Sequence, residues 1–305
     1  MYDIIIVGGG PAGMTAALYA RRNGKTALVI EKSGFGGQIT HSPKVENFPG
    51  TVTISGTELA DSMMSQILEQ GADIEIETVA SIEANGDKKI VKTEEGGVYE
   101  SYAVIIATGV KHRMLGLSGE EELVGEGISF CAVCDGDFYS GKSVLMAGGG
   151  NSALQEAILL SDKCQKVTML QDLPYFTGEE SLQKLLFSRD NVAALTGVKI
   201  TDLITENGAF KGVRYTVTET GESKEIYADG LFVAIGLIPE NEPFKNLAEL
   251  NSYGYFDSDE NCTTKTPGVF VAGDCRSKYI RQVTTAAADG TIAALAACRY
   301  VNEVR

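Results

Sequence analysis

Ile4-Ile5-Ile6-Val7-Gly8-Gly9-Gly10-Pro11-Ala12-Gly13 is the stretch on which the reading of this 305-residue chain turns. An apolar run, a glycine turn and the helical pattern of Met14 to Arg22 follow one another. In that order, backbone N–H groups at the helix start can face a pyrophosphate with no Cβ in the way. A glycine turn alone is weak evidence. Here the next strand-like run, Thr26 to Ile30, ends at Glu31, an acid placed to take a ribose hydroxyl. The stretch therefore predicts a dinucleotide site in which Gly8, Gly10, Pro11, Ala12 and Gly13 surround the phosphates. The same device returns about 140 residues later, where Lys142 to Ala147 leads into Gly148-Gly149-Gly150-Asn151-Ser152-Ala153 and a helix through Leu160. Two copies predict an α/β protein of two Rossmann-like, three-layer nucleotide-binding domains.

Further candidates lie outward from the first turn. Gly37, Gln38 and Asn47 sit in glycine- and amide-rich loops that suit a planar ring with polar edges, a plain loop being the alternative. Residues 58–70 have helical spacing, with Thr57 as the cap and Gly71 as the stop. Strand-like segments at 72–83, 88–93 and 98–106 are separated by Asn85-Gly86 and Gly96-Gly97, both good hairpin turns. Val79 lies in the first of them, where a backbone edge could meet an adenine, although ordinary sheet packing explains its spacing equally simply. The third strand stops at Thr108-Gly109, which would let a bound nucleotide lie against the backbone. Toward the C-terminus, a strand from Val269 ends at Gly273-Asp274, an acid suited to a ribityl or ribose hydroxyl. Arg281-Gln282-Val283 then begins an alanine-rich helix to about Tyr300, whose first amides suit the polar edge of a flavin.

A second kind of chemistry is carried by Cys131-Ala132-Val133-Cys134-Asp135-Gly136. Two thiols at this spacing can close a small disulfide and exchange electrons. The alternatives are half a zinc site or two inert core cysteines. Zinc would need four ligands, and the two histidines, His41 and His112, are not at zinc-finger spacing. The other cysteines, Cys164, Cys262, Cys275 and Cys298, are scattered. A net charge of −15 argues against nucleic acid or an anionic membrane as partner. Met1-Tyr2-Asp3 runs directly into the first strand without a signal-like leader, which predicts a cytoplasmic protein. After the second glycine turn, the strand ending near Leu170 is followed by Gln171-Asp172-Leu173-Pro174-Tyr175-Phe176-Thr177, with no cation before Lys184. A 2′-phosphate would lack a partner, so NADPH is disfavoured. Asp172 could accept the 2′-hydroxyl of NADH, or the four residues after it could fill an adenosine pocket.

In their order along essentially the whole chain, these motifs resemble the low-molecular-weight thioredoxin reductases. The match rests on both glycine turns, Gly36-Gly37-Gln38, Val45-Glu46-Asn47-Phe48-Pro49-Gly50, Ala107-Thr108-Gly109, the Cys131-to-Gly136 motif, Gly273-Asp274 and Arg281-Gln282. The resemblance implies FAD held by residues 1–115 and 244–305. It places the dithiol in an inserted domain, 116–243, beside a degenerate pyridine-nucleotide site. It further implies a homodimer that reduces thioredoxin, with hinges near residues 115–117 and 240–244. By analogy with the family, Cys134 faces the flavin and Cys131 attacks the partner disulfide. Asp135 is the candidate general acid, because a carboxyl beside a leaving thiolate can protonate it, a plain turn at Asp135-Gly136 being the alternative. Where NADPH-dependent members carry His-Arg-Arg and a further Arg, this chain has Gln171, Asp172, Leu173 and Thr177. That departure resembles the ferredoxin-linked flavin thioredoxin reductases. An NADH-linked thioredoxin or peroxiredoxin-system reductase is the alternative, and a flavin-binding regulator without turnover the third reading. Lys111, Arg113, Arg276, Lys278 and Arg281 are the candidate basic face for an acidic ferredoxin.

Overall fold

The computed structural model describes residues 1–42 and 44–305, which form two compact α/β units, Met1–Lys111 with Ile238–Arg305, and His112–Leu237. The first unit is built on β1 (Tyr2–Val7), which pairs in parallel with β2 (Ala27–Glu31). Ile4, Ile5 and Ile6 are fully buried, because the strand lies mid-sheet with both faces covered. Such a strand reads as an unbroken apolar run rather than an alternation. Between these strands runs α1 (Pro11–Arg22), whose proline occupies the first turn, where a missing N–H costs no hydrogen bond.

Next comes α2 (Gly56–Glu69), and its cap differs from expectation. Ser55, not Thr57, is the cap: its hydroxyl accepts the Glu58 N–H at 3.1 Å while the Glu58 carboxylate accepts the Ser55 N–H at 3.0 Å. This reciprocal pair satisfies two amide donors at once, which Thr57, already inside the helix, cannot do. The strand expected over 72–83 is divided. Its first part, β3 (Asp73–Ile76), runs parallel to β2, whereas β4 (Val79–Asn85) turns away to pair antiparallel with β5 (Lys88–Thr93). A second hairpin carries the chain into β6 (Val98–Ile106), which lies beside β1. The sheet order is thus β3-β2-β1-β6-β5-β4. The chain leaves this unit on β7 (Val110–His112).

In the second unit, β8 (Ile128–Ser129) precedes the four-residue α3 (Ala132–Asp135). There follow β9 (Ser143–Ala147), α4 (Asn151–Ser161), β10 (Lys166–Gln171), α5 (Glu180–Phe187) and β11 (Val192–Thr196). An antiparallel meander of β12 (Val198–Glu206), β13 (Ala209–Val217) and β14 (Ser223–Tyr227) then leads to β15 (Gly230–Val233). The parallel sheet has the order β11-β10-β9-β15-β8. Return is by β16 (Leu237–Pro239), which pairs with β7.

The first unit is completed by β17 (Val269–Val271), parallel to β6, and by α6 (Val283–Val304), which runs past the expected end at Tyr300. Small residues let α6 approach α1 closely; a Cβ on Gly290 would lie 2.2 Å from the Ala12 carbonyl oxygen. Ala12, Ala16, Ala17, Ala293, Ala294 and Ala297 belong to the resulting core. Among the described residues, no helix is long and apolar enough to cross a membrane.

Candidate active site

The first glycine turn is fixed from both sides by β-strand backbone. Gly8 donates its N–H to Ile30 at 2.8 Å, and Ala107 donates to Val7 at 2.7 Å. A Cβ on Gly8, whose φ is +111°, would lie 2.3 Å from the Ala107 carbonyl oxygen, and one on Gly13 would lie 1.9 Å from the Gly8 carbonyl oxygen. Around Gly10, by contrast, nothing lies within 4 Å of where a Cβ would stand, and this residue caps α1 without any side-chain hydrogen bond. The first amides of α1 are therefore turned toward open space, as a phosphate requires. Glu31 accepts the Gly9 N–H at 2.6 Å and the Ser33 N–H at 3.0 Å, one on each oxygen. Its carboxylate is aimed along the turn with acceptor capacity left for a hydroxyl.

Other candidates gather in the same unit. Asn47 donates to the side chain of Gln282 at 3.3 Å, so residues 235 positions apart in sequence meet at the start of α6. Thr108 donates to Asn241 at 3.2 Å, and Asn241 donates in turn to the carbonyls of Gly254 and Cys275 at 2.9 and 2.8 Å. Gly109 is open, with nothing within 4 Å of a Cβ. Gly37 and Gln38 are exposed, and Val79 is half-buried at the start of β4, opposite Thr93. Gly273, with φ +79°, packs so tightly on α1 that a Cβ would lie 2.8 Å from the Cβ of Ala12. Two buried polar atoms here lack a hydrogen-bond partner, the Asp274 Oδ1 and the Arg281 Nε. A cradle of open helix amides, tight glycines and unpartnered buried polar atoms fits a dinucleotide carrying hydroxyls.

Burial pushes the Asp274 carboxyl up to about 6, against the pull of Lys278 and Arg281. Because this lies above the unfolded value, the stability Asp274 contributes is full below about pH 4 and is lost as pH rises through about 6. Asp274→Asn is thus expected to stabilise the cofactor-free protein at pH 7 by roughly 2–3 kcal/mol while weakening cofactor binding. Melting temperatures of the cofactor-free variant and parent across pH 4–7 check this, the expected result being loss of the pH 4–6 slope in the variant.

In the second unit Cys131 and Cys134 form a disulfide, with Cα atoms 5.3 Å apart. Cys131 caps α3, and its sulfur accepts the Cys134 N–H at 3.2 Å. Ser129 Oγ donates to Asp135 at 2.6 Å and accepts the Cys131 N–H at 3.1 Å, tying the acid to the dithiol turn. Asp135 is buried and its Oδ1 has no partner. Burial raises its pKa, opposed by the Ser129 hydrogen bond, so the site holds a carboxyl inclined to keep a proton. The remaining cysteines are buried free thiols, and burial drives Cys262 up to about 12 and Cys275 up to about 11. Such thiols do not form thiolates near neutral pH.

The second glycine turn is held by the segment that follows it, as the first is by Gly36, whose N–H donates to the Gly9 carbonyl at 2.9 Å. A Cβ on Gly149 would meet the Gln171 Cδ at 2.5 Å. Thr177 and Gly178 both donate their N–H groups to the Gly149 carbonyl, at 2.9 and 3.0 Å. Asn151, the first residue of α4, exchanges hydrogen bonds with Glu179 at 3.0 and 2.7 Å. Asp172 accepts the N–H of Leu173 at 2.9 Å. Of the four residues that are the alternative filling of an adenosine pocket, Tyr175 is exposed and Phe176 packs against Phe187, 5.1 Å between centroids.

The expected basic face does not form. Arg276 and Lys278 are nearly buried, and both pair with Asp289, at 3.0 and 2.9 Å. Lys111 pairs with Glu240 at 2.9 Å, and the Arg281 guanidinium stacks 4.4 Å over the Tyr255 ring. Arg113 belongs to the other unit. Asp289 also accepts the Gly273 N–H at 3.1 Å, so this ion triad fixes the turn that presents Asp274. Sequence reading missed Asn241 and Asp289. Neither has a motif, and an acid inside an alanine-rich helix was the only available signal for the latter.

Two glycine-turn α/β units, one carrying an isolated disulfide beside a buried acid, define the class of flavin-dependent disulfide oxidoreductases. The family model "Pyridine nucleotide-disulphide oxidoreductase" matches residues 2–290. A Clostridium pasteurianum protein described as a "34.2 kDa protein in rubredoxin operon" is 43% identical over 98% of this chain and 97% of its own length. The Bacillus subtilis thioredoxin reductase is 39% identical, covering 100% and 96%. The solved thioredoxin reductase of Streptococcus pyogenes superposes with a TM-score of 0.93 at 38% identity, covering 99% of each chain. The chain belongs to the low-molecular-weight thioredoxin reductases within the pyridine nucleotide-disulphide oxidoreductase family. It is an FAD-dependent disulfide oxidoreductase.

Proposed function

We propose that the chain reduces thioredoxin with electrons taken from reduced ferredoxin rather than from a pyridine nucleotide. The observation that carries the donor is the absence of a cation from residues 171–177, the segment that closes against the second glycine turn. Gln171 and Thr177 stand on it where a 2′-phosphate would need cations, and Lys184 pairs with Glu180 at 2.7 Å. Relatives named thioredoxin reductase support the acceptor. A relative whose description places it in a rubredoxin operon supports a small iron protein as donor. The same reading makes the protein a cytoplasmic homodimer.

In this reading Gly8, Gly10, Pro11, Ala12 and Gly13 surround the pyrophosphate of FAD, with N–H groups at the start of α1 as the donors, and Glu31 holds the adenosine ribose. Val79 borders the adenine. Gly37, Gln38, Asn47, Thr108 and Gly109 line the ring system and its chain, Asp274 takes a ribityl hydroxyl, and Arg281-Gln282-Val283 face the ring edge. Bound there, FAD would supply the two-electron chemistry that the disulfide needs from two one-electron deliveries by reduced ferredoxin. Reduction of the Cys131–Cys134 bond takes two electrons and up to two protons. Cys131, whose sulfur already accepts an amide hydrogen bond, is the thiolate that attacks thioredoxin. Cys134 is the sulfur that receives electrons, and Asp135 holds the proton that the departing thiolate takes.

The test is anaerobic: flavin bleaching with ferredoxin, NADPH and NADH in turn, followed by thioredoxin reduction. Bleaching by ferredoxin alone is expected. Rapid bleaching by NADPH would sink the donor assignment, and rapid bleaching by NADH would favour a second reading in which Asp172, an acid at the end of β10, holds the ribose. With a net charge of −15 and no basic cluster from the expected residues, encounter with an acidic ferredoxin is opposed by charge. The ferredoxin-driven rate is therefore expected to rise as ionic strength goes from about 10 to about 150 mM, where the Debye length falls from about 30 to about 8 Å. Stopped-flow rates across that range check the sign.

A further inference from the structure

We propose that Glu156 is a positioning residue of the dithiol centre, a second carboxyl that grips the turn between the two cysteines and governs how readily the reduced pair carries a thiolate. The inference rests on the reading of Cys131 and Cys134 as the redox pair and deepens it.

Glu156 is the only ionisable residue in α4. Its helix packs on α3 through Ala132, Ala153, Leu154, Ala157 and Leu160, all buried, so an apolar side chain would suit the position better. Instead the Glu156 carboxyl reaches the dithiol turn and accepts the Ala132 N–H at 3.3 Å. That nitrogen belongs to the peptide bond that leaves Cys131. From the same turn, the buried Asp135 presents a second carboxyl, whose Oδ1 has no partner. The short helical turn that carries the two sulfurs thus bears one carboxyl of its own and receives a second from α4.

Burial pushes Glu156 up to about 7; the Ala132 hydrogen bond opposes this, and Asp135 adds to it. The charged groups on neighbouring elements are engaged elsewhere or stay neutral. Glu180 and Lys184 of α5 pair with each other at 2.7 Å, and Lys163, beyond the end of α4, pairs with Asp137 at 2.6 Å. Lys166 of β10 is exposed, β9 carries no charge, and burial holds Tyr139 neutral with its pKa raised to about 12. Glu156 thus changes charge near neutrality beside Asp135.

The consequence is a proton balance. Two electrons and two protons convert the disulfide to two thiols, and one proton suffices if one sulfur remains a thiolate. An ionised Glu156 opposes that thiolate, while a neutral one does not. The carboxyl and thiol titrations are coupled and appear as macroscopic steps.

The experiment uses the FAD-loaded protein reduced with a phosphine. The rate of iodoacetamide alkylation at Cys131 is followed against pH by peptide mass spectrometry. The parent is expected to show two steps, one near pH 7. Glu156→Gln keeps the acceptor for Ala132 but loses the charge, so a single step is expected with its midpoint lowered by about one pH unit. A merely structural role would leave the two profiles superimposed, and that result overturns the proposal. If Glu156→Gln does not fold, Glu156→Asp, which retracts the charge by one methylene, is read in the same way. A displaced lower step is expected there, and an unchanged profile again overturns the proposal. Failure of both cysteines to become alkylatable on reduction would instead refute the redox-pair reading itself.

Discussion

In Cys131→Ser the flavin is expected to bleach with the productive donor as in the parent, while thioredoxin reduction falls by roughly 10³-fold or more, as when an attacking nucleophile is removed. The structure separates the two sulfurs in a way that motivates this split. Cys131 sits at the cap of α3, with its sulfur accepting the Cys134 N–H at 3.2 Å. An amide aimed at sulfur favours the thiolate, which is the form that attacks a disulfide. Cys134 follows one turn later, before the buried Asp135. Cys134→Ser is expected to fail later, since electrons reach no disulfide in either variant but here Cys131 keeps the attacking geometry and only the resolving thiol is gone. It should therefore trap a stable mixed disulfide with thioredoxin, visible by non-reducing electrophoresis. Thioredoxin turnover by Cys131→Ser at the parent's rate would reverse the assignment.

Gly13→Ala is expected to yield protein without bound flavin, with affinity for FAD reduced by a factor of about 100 or more and a stability loss of about 1–3 kcal/mol from overpacking. The new Cβ would stand 1.9 Å from the Gly8 carbonyl oxygen, and backbone at that distance must move. Movement of Gly8 is transmitted to β6, because Gly8 already packs against the Ala107 carbonyl. Gly148→Ala is the control. Its Cβ would stand 2.4 Å from the Ala234 carbonyl oxygen, an equivalent clash in the unit that carries the dithiol. That variant is expected to lose comparable stability yet keep its flavin. Absorbance of the purified proteins and FAD titration of the cofactor-free forms measure both effects. A yellow Gly13→Ala protein with parental affinity would remove the first glycine turn from the cofactor site.

The same contrast shows why parts of the site were legible and others were not. Ile4 to Gly13 announces itself because each requirement is local: burial of one strand, a turn without Cβ atoms, and amides at a helix start. Glu31 follows for the same reason, at the end of the adjacent strand. The Ser55 cap is equally local, since Glu58 three residues later marks a reciprocal cap, whereas Thr57 already lies inside the helix. The break at residues 77–78 was hidden because both flanking segments have strand character, and only their different pairing partners divide them. The candidate basic face failed for a related reason. Its cations are close in sequence, but Asp289 lies 13 residues beyond Arg276 and captures it only because α6 folds back over the turn at Gly273.

By itself, the sequence determined the two glycine-turn domains, the dithiol, the acid beside it and the missing cations of the second site. All are short patterns whose chemistry depends on neighbours within a few residues. Tertiary structure decided what those patterns face. It placed Asn241 behind Thr108, Asp289 under the turn of Asp274, the 177–179 segment over the second glycine turn, and Glu156 against the amide that follows Cys131. Each contact joins residues from separate elements, and a buried polar group's energy is set by the partner that packing brings to it rather than by its place in the chain.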